Sequence, residues 1–326
     1  PPKDLSGAVW SVAELSDGKY LIGGGFTNVG GDTTLDTLMR LHTDGSLDES
    51  FTPPANLSSS TVYSVAVLSN GKYLVGGDFN NVGKSDRDKL MRLNPDGSLD
   101  DNFTPPANLS STVWSMAELS NGQYLIGGSF TDVGGDTTRD KLMRLNSNGS
   151  LDKSFTPPEI NPLNPNSTVY KVGELGKGQY LIGGSFTDVG DQKFDGLIRL
   201  DTDGGLDTSF DPPAAPDFSF SVYWWVELSD GTYLVGGNLE NVGGDAARDS
   251  LIRLLAEPQP PTSVTATNGD TSQVVSWSAP RANDGSIADG GSPITGYTAT
   301  AAPGGATCTT TKTSCTIAGL TNGTDY

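Results

Sequence analysis

The stretch VYSVAVLSNGKYLVGGDFNNVGK, Val62–Lys84, decides the fold. Thr61–Leu68 is rich in β-branched and aromatic residues and reads as a strand. Ser69-Asn70-Gly71 is an Asn-Gly turn, and Lys72–Phe79 is a second strand, so the two form a hairpin. A polar loop follows, then a third strand over Lys89–Asn94, a turn at Pro95-Asp96-Gly97 and a short fourth strand over Ser98–Phe103. Pro105 and Pro106 stop it. The same core returns at Val9–Gly31, Val113–Gly135, Val169–Asp191 and Val222–Gly244, so the unit occurs five times. The aromatics that open the copies are Trp10, Tyr63, Trp114, Tyr170 and Tyr223, at steps of 53, 51, 56 and 53 residues. A unit of this size cannot bury its own apolar face, so neighbouring copies must pack together. Four antiparallel strands per copy is the make-up of one propeller blade. The expected fold is therefore all-β: a β-propeller of about five four-stranded blades, the last incomplete, with repeats at about 1–54, 55–106, 107–158, 159–213 and 214–255.

Three recurring features invite a functional reading. A glycine pair ends the second strand of every copy, from Gly23–Gly24 to Gly236–Gly237. Glycine weakens a strand unless something packs closely over it, so close packing is expected there. A phosphate cradle would need a following helix, and none is indicated. An Asp and an Arg four residues apart also recur: Asp36/Arg40, Asp88/Arg92, Asp140/Arg144, Asp195/Arg199 and Asp249/Arg253. Residues i and i+4 of a strand share a face, and an Arg in an apolar strand needs a partner, so structural Asp–Arg pairs are expected rather than an anion-binding ring. The turns at Asp44/Asp48, Asp96/Asp100 and Asp203/Asp207 suggest calcium, but Asn148 breaks the series and no bidentate Glu closes it. Turns held by Asx hydrogen bonds are expected, with no metal and no cofactor.

Composition narrows the partners. The net charge is −19, which argues against nucleic acid or an anionic membrane surface. There is no apolar run long enough for a membrane helix. The two cysteines, Cys308 and Cys315 in CTTTKTSC, suit a disulfide-closed hairpin, hence an oxidising compartment. The one histidine, His42, lies in a turn, which leaves no Ser-His-Asp arrangement.

The recurring (V/I)GG-x-F…RL…DG-x-LD-x-x-F pattern resembles the bacterial delta-60 repeat. That resemblance implies β-propeller domains of large secreted or surface proteins. Beyond a Pro-rich linker at 256–261, residues 262–326 resemble a fibronectin type III domain, with Pro261, Trp277, Pro293–Tyr297, Leu320 and Tyr326 at its landmarks. Tyr326 stands where the tyrosine corner would be. The likeness implies a partial immunoglobulin-like sandwich. Pro1–Pro2 sit like the tail of a fourth strand, and the fifth copy ends at Leu251–Pro258 without a DGSLD turn. A fragment is therefore expected, flanked by upstream and downstream modules of the same polypeptide.

Residues that repeat five times hold the fold, and departures from the repeat are better candidates for function. The largest departure lies in the fifth copy, where Phe218, Phe220, Tyr223, Trp224 and Trp225 cluster within eight residues. Alternation places Tyr223 and Trp225 on one face and Trp224 on the other. Such aromatics suit a ligand platform, or packing against a neighbour. The expected role is non-catalytic binding or adhesion to surface proteins or glycans, outside a bacterial cell. The alternatives are an accessory module of a secreted polysaccharide-degrading enzyme and a structural stalk.

Overall fold

Each copy folds as an antiparallel meander. In the computed structural model the first copy has β1 (Val9–Glu14), β2 (Tyr20–Gly24) and β3 (Leu38–Leu41). The second has β4 (Val62–Val67), β5 (Tyr73–Gly77) and β6 (Leu90–Leu93), and the third β7 (Val113–Glu118), β8 (Tyr124–Gly128) and β9 (Leu142–Leu145). The fourth has β10 (Val169–Glu174) and β11 (Tyr180–Gly184), a small hairpin of β12 (Asp188–Val189) and β13 (Gln192–Lys193), and β14 (Leu197–Leu200). The fifth has β15 (Ser221–Glu227), β16 (Tyr233–Asn238) and β17 (Leu251–Leu254). The structure describes residues 2, 5–27, 29, 36–54, 57, 60–80, 82, 88–107, 109–131, 133, 139–160, 166–176, 178–194, 196–210, 221–229, 231–239, 250–254, 261–280 and 294–326. No α-helix occurs among them.

The Asn-Gly turn works as its chemistry requires. Gly71 sits at φ 79° and its N–H donates to the Leu68 carbonyl, while Leu68 N–H closes the hairpin on Lys72. A β-bulge falls on the aromatic of each of the first four copies, because the register shifts between Val9 and Ser11, Val62 and Ser64, Val113 and Ser115, and Val169 and Lys171. The bulge absorbs one residue. Positions three apart, such as Val62 and Val65, thereby reach the same neighbour, and the aromatic between them is turned elsewhere.

The expected fourth strand is not a ladder strand. It touches its own sheet only through isolated bridges, Leu41↔Leu47, Leu93↔Leu99, Leu145↔Leu151 and Leu200↔Leu206. It then leaves the sheet as a strap: Thr52 N–H donates to Asp96 of the next copy, Thr104 to Asn148 and Thr156 to Asp203. Prolines follow each of these threonines and supply no N–H for further pairing.

The core lies between copies. Leu21, Leu38 and Phe51 of the first copy close over Val62, Val65, Tyr73 and Val75 of the second, and equivalent clusters join the second copy to the third and the third to the fourth. The first strands of successive copies pack side by side, β1 on β4, β4 on β7 and β7 on β10. At each junction the first glycine of the pair makes the room. A Cβ on Gly23, Gly76, Gly127 or Gly183 would lie 2.5, 2.6, 2.5 or 2.7 Å from Val62, Val113, Val169 or Val222 of the next copy. The second glycine serves its own copy: a Cβ on Gly77 or Gly184 would run into the carbonyl of Thr61 or Thr168.

The chain divides into two compact units, Pro1–Trp225 with Gly236–Leu251, and Val226–Val235 with Ile252–Tyr326. The expected linker at 256–261 falls almost wholly outside the described residues. The C-terminal region has β18 (Thr262–Gly269), β19 (Ser272–Ser278), β20 (Tyr297–Thr300), β21 (Thr307–Thr310) and β22 (Ser314–Ala318). They form two sheets, β18-β19-β22 and β20-β21. Val275, Trp277, Ala301, Ile317 and Leu320 are buried between them, and the Trp277 and Tyr297 rings meet at 5.3 Å. Cys308 on β21 and Cys315 on β22 form a disulfide that ties one sheet to the other. The Tyr326 hydroxyl accepts a hydrogen bond from Thr321 N–H at 2.9 Å, the contact that defines a tyrosine corner.

Candidate functional site

Two side-chain systems run along the repeats, one built from charge and one from aromatic rings. The charged one centres on the Arg of the third strand. Arg40, Arg92, Arg144 and Arg199 each donate through Nε to a carboxylate at 2.7 Å: Asp48, Asp100, Asp152 and Asp207. A carboxylate eight residues downstream is thus placed against each of these four guanidinia. Asp36, Asp88 and Asp140 lie ahead of the strand, and the intervening Thr37, Lys89 and Lys141 have φ of 72°, 64° and 69°. A left-handed residue breaks the alternation on which an i, i+4 pairing rests. Asp195 and Asp249 lie outside the described residues. The fifth copy has no DGSLD turn, and Arg253 Nε donates to the Thr232 hydroxyl at 3.0 Å.

The rest of the guanidinium of Arg40, Arg92 and Arg144 reaches across the junction. Arg40 donates to the Tyr73 hydroxyl and the Pro95 carbonyl of the second copy. Arg92 meets Tyr124 and Ser147 in the same way, and Arg144 meets Tyr180 and Thr202. Each also lies over a buried ring of its own copy, with Arg144 Cζ 4.7 Å from the Phe155 centroid. The acceptor side is equally occupied. One Asp48 oxygen takes Arg40 and Lys19, and the other takes Ser50 through both N–H and Oγ. Burial works against the charged form of Asp48, but these hydrogen bonds outweigh it and hold the carboxyl well below the usual range. Asp100, bonded by Lys72 and Arg92, is drawn down to about 2. The outer turn residues Asp44, Asp96 and Asn148 cap their turns by accepting from Ser46, Ser98 and Ser150. These groups brace the junctions. Among the described residues no cluster of three or more His, Cys, Asp or Glu could hold a metal ion.

The second system is a row of rings. Trp10, Tyr63, Trp114, Tyr170 and Tyr223 touch in sequence, with centroids 5.5, 4.1, 5.6 and 5.1 Å apart. One first-strand aromatic from each copy therefore joins a continuous row across all five. The three inner rings are half-buried, and Trp10 and Tyr223 at its ends are 56% and 52% exposed. Sequence reading saw the recurrence of these aromatics but not their contact, because contact depends on the bulge and on the spacing of the first strands.

The fifth-copy cluster divides differently from the alternation expected of it. Tyr223 and Trp224 are both exposed, Trp224 by 47%, whereas Trp225 is buried. Trp225 occupies the place of Val65, Met116 and Val172, and its ring lies on Gly173 and Gly183 of the fourth copy. Gly173 stands where the earlier copies have Ala13, Ala66 and Ala117, and a Cβ there would come within 2.6 Å of the Trp225 ring. The large ring and the missing methyl are matched, so Trp225 is a packing residue and presents no face to a ligand. Phe218 and Phe220 lie outside the described residues.

The family described as "Domain of unknown function (DUF5122) beta-propeller" matches residues 15–51, 68–103, 119–155 and 178–210, one segment in each of the first four copies. The fibronectin type III domain family matches residues 259–326. No curated protein matches the chain. Among solved structures it is similar to the extracellular domain of a one-component system from B. thetaiotaomicron, at 13% identity over 84% of this chain and 34% of that one, with a TM-score of 0.46. It is also similar to PorZ, a surface component of the type-IX secretion system of Porphyromonas gingivalis, at 13% identity over 83% and 36% with a TM-score of 0.45. A gluconolactonase of Xanthomonas campestris matches at 11% identity over 84% of each chain, with a TM-score of 0.44. The chain thus spans about a third of the length of the first two of these proteins.

Proposed function

The chain carries DUF5122 β-propeller repeats followed by a fibronectin type III domain, and from that premise we propose that it is a non-catalytic binding segment of a larger bacterial protein displayed outside the cell. The observation that carries the reading is the row of five rings, with Trp224 exposed beside its last member. Half-exposed aromatic faces are where a glycan or a protein loop gains most contact for least lost side-chain freedom. The repeated charged groups are engaged in bracing the junctions, which leaves the rings as the chemically distinctive surface. An extracellular setting is supported by the fibronectin type III domain and by the Cys308–Cys315 disulfide, which persists in oxidising surroundings. With a net charge of −19, nucleic acids and anionic lipid surfaces are unsuitable partners. No helix among the described residues is long and apolar enough to cross a membrane.

The test is a binding screen of the full chain on a glycan array and against cell-surface protein fractions, repeated with Trp114→Ala and Trp224→Ala. Each ring is expected to contribute about 1 kcal/mol, so each variant should bind roughly fivefold more weakly. Unchanged binding in both variants would remove the rings from the site. Turnover of an aldonolactone or a glycoside by the purified chain would overturn the non-catalytic reading.

A further inference from the structure

The junction between the fourth and fifth copies collects hydrogen-bond donors without an acceptor to match them. Two earlier junctions are closed by a serine: Ser11 Oγ accepts from Val65 N–H of the next copy and Ser115 Oγ accepts from Val172 N–H, each at 3.1 Å. The fourth copy has Lys171 at the serine position, and the fifth has Trp225 at that of Val65 and Val172. A protonated lysine accepts no hydrogen bond, so a donor stands where the acceptor stood. Trp225 adds another. Its ring is packed on the fourth copy, but the Nε1–H at its edge is buried with no hydrogen-bond partner. The Lys171 ammonium lies 6.0 Å from the centre of that ring. Lys19, Lys72, Lys89 and Lys193 each have an aspartate at their ammonium. Lys171 has none among the described residues, and burial pulls its pKa below the usual lysine range. Buried donors are costly to leave unmade, and a cation beside one suits an acceptor that comes from outside.

From this we infer that the junction of the fourth and fifth copies is a binding site for a carboxylate, held by the Lys171 ammonium and the Trp225 indole N–H. A carboxylate has two oxygens, one for each donor. Lys171 is half-buried, so solvent reaches its side chain, and its flexible stem can move to bring a ligand to Nε1. The net charge of −19 penalises every negative charge that a ligand brings, which favours a singly charged carboxylate over phosphate or sulfate. Tyr170 precedes Lys171 and touches Tyr223, two residues before Trp225, so the site adjoins the last contact of the aromatic row. An acidic sugar, with an apolar ring face beside its carboxylate, has the chemistry for both. The carboxylate site stands on the donors alone and does not require the row to bind anything.

The chain has five tryptophans, so a proton–nitrogen correlation spectrum holds five indole N–H signals, and Trp225→Phe identifies the one of interest. The full chain is titrated with sodium acetate, sodium glucuronate and glucose, with sodium chloride keeping the ionic strength constant. Both carboxylates are expected to move the Trp225 signal saturably, and glucose is expected to leave it in place. Lys171→Ser restores the residue of the first three copies, and Lys171→Met keeps the stem without the charge. Each should weaken the response roughly tenfold or more, whereas Lys171→Arg should retain it. Tighter binding of glucuronate than of acetate supports the site and assigns it an acidic sugar; equal binding supports it as a site for the carboxylate alone. A Trp225 signal unmoved by both carboxylates would overturn the inference. So would a shift that persists in both uncharged Lys171 variants, or an equal shift with chloride alone, which would leave an adventitious ion only. Trp114→Ala tests the row and leaves Lys171 in place, so failure of either reading shows separately.

Discussion

A glycine is the largest residue the inner junctions accept at one position, and the chain contains its own control. At Gly127 an added methyl would lie 2.5 Å from Val169 Cγ1 and 2.7 Å from Val172 Cγ1, both buried and both flanked by backbone that cannot retreat. Gly127→Ala should therefore cost about 1–3 kcal/mol as overpacking. At Gly236 the same methyl would make only ordinary contacts among the described residues, 3.7 Å from the Ser250 carbonyl and 3.8 Å from Leu251 Cδ1. Gly236→Ala should be neutral or stabilising by up to about 1 kcal/mol, through a less flexible unfolded chain. Urea unfolding midpoints of the two variants, measured where the protein is one chain per particle, decide the matter. Equal losses would mean that the glycines serve strand conformation and not the junction. The demand for close packing was legible in the recurring pair, because glycine in a strand needs such a reason. What packed there was not legible, since the occupant lies some forty residues away. The match of Trp225 to Gly173 escaped for the same cause: alternation counted along β15 could not know which residues the neighbouring copy covers.

At the level of the strand and its turn, the Arg–Asp group ties the third strand, the strap and the next copy into one piece. It also makes the array sensitive to acid. The carboxyls of Asp100 and Asp207 are held down to about 2, against burial, by hydrogen bonds from Lys72 and Arg92 and from Ser209 and Arg199. Their folded values lie below those of the unfolded chain, so the unfolded state takes up protons first as pH falls. Their contribution is complete above about pH 5 and is lost as pH drops from there through about 2, at roughly 2 kcal/mol for each such carboxyl. The urea midpoint should hold steady down to about pH 5 and fall steeply below it. Asp100→Asn should be less stable at neutral pH and should show a shallower acid slope. A wild-type midpoint that does not move between neutral pH and pH 2 would show that the carboxylates are not stabilised in this way. Sequence reading placed an acid four residues before each Arg, whereas the carboxylates bonded to Arg40, Arg92 and Arg144 are Asp48, Asp100 and Asp152. The choice turned on Thr37, Lys89 and Lys141, whose left-handed backbone has no sequence signal of the kind that Gly196 gives at the same place. The fourth segment shows the same limit. Its apolar and polar alternation reads as a strand, yet the prolines after it and the Asp turned inward make it a strap.

Across the repeat array the structure is a succession of like units whose stability is shared with neighbours. An array of this kind has a stability close to the sum of its units and its junctions, so units with one junction are held less firmly than units with two. The second, third and fourth copies are packed on both faces. The first is packed on one, with Val9, Trp10 and Val12 open. The periodicity of the sequence made the succession of units legible, and the breaks in it marked the fifth copy as different. It did not reveal how open the face of the first copy is, because that follows from burial and not from pattern. Native-state amide exchange by mass spectrometry reads the difference directly. In dilute solution, protection should be greatest in β5, β8 and β11 and lower in β2, although the four strands have nearly the same sequence. Uniform protection would mean that the copies open as one cooperative body, and that the exposed face of the first copy contributes nothing to how the array comes apart.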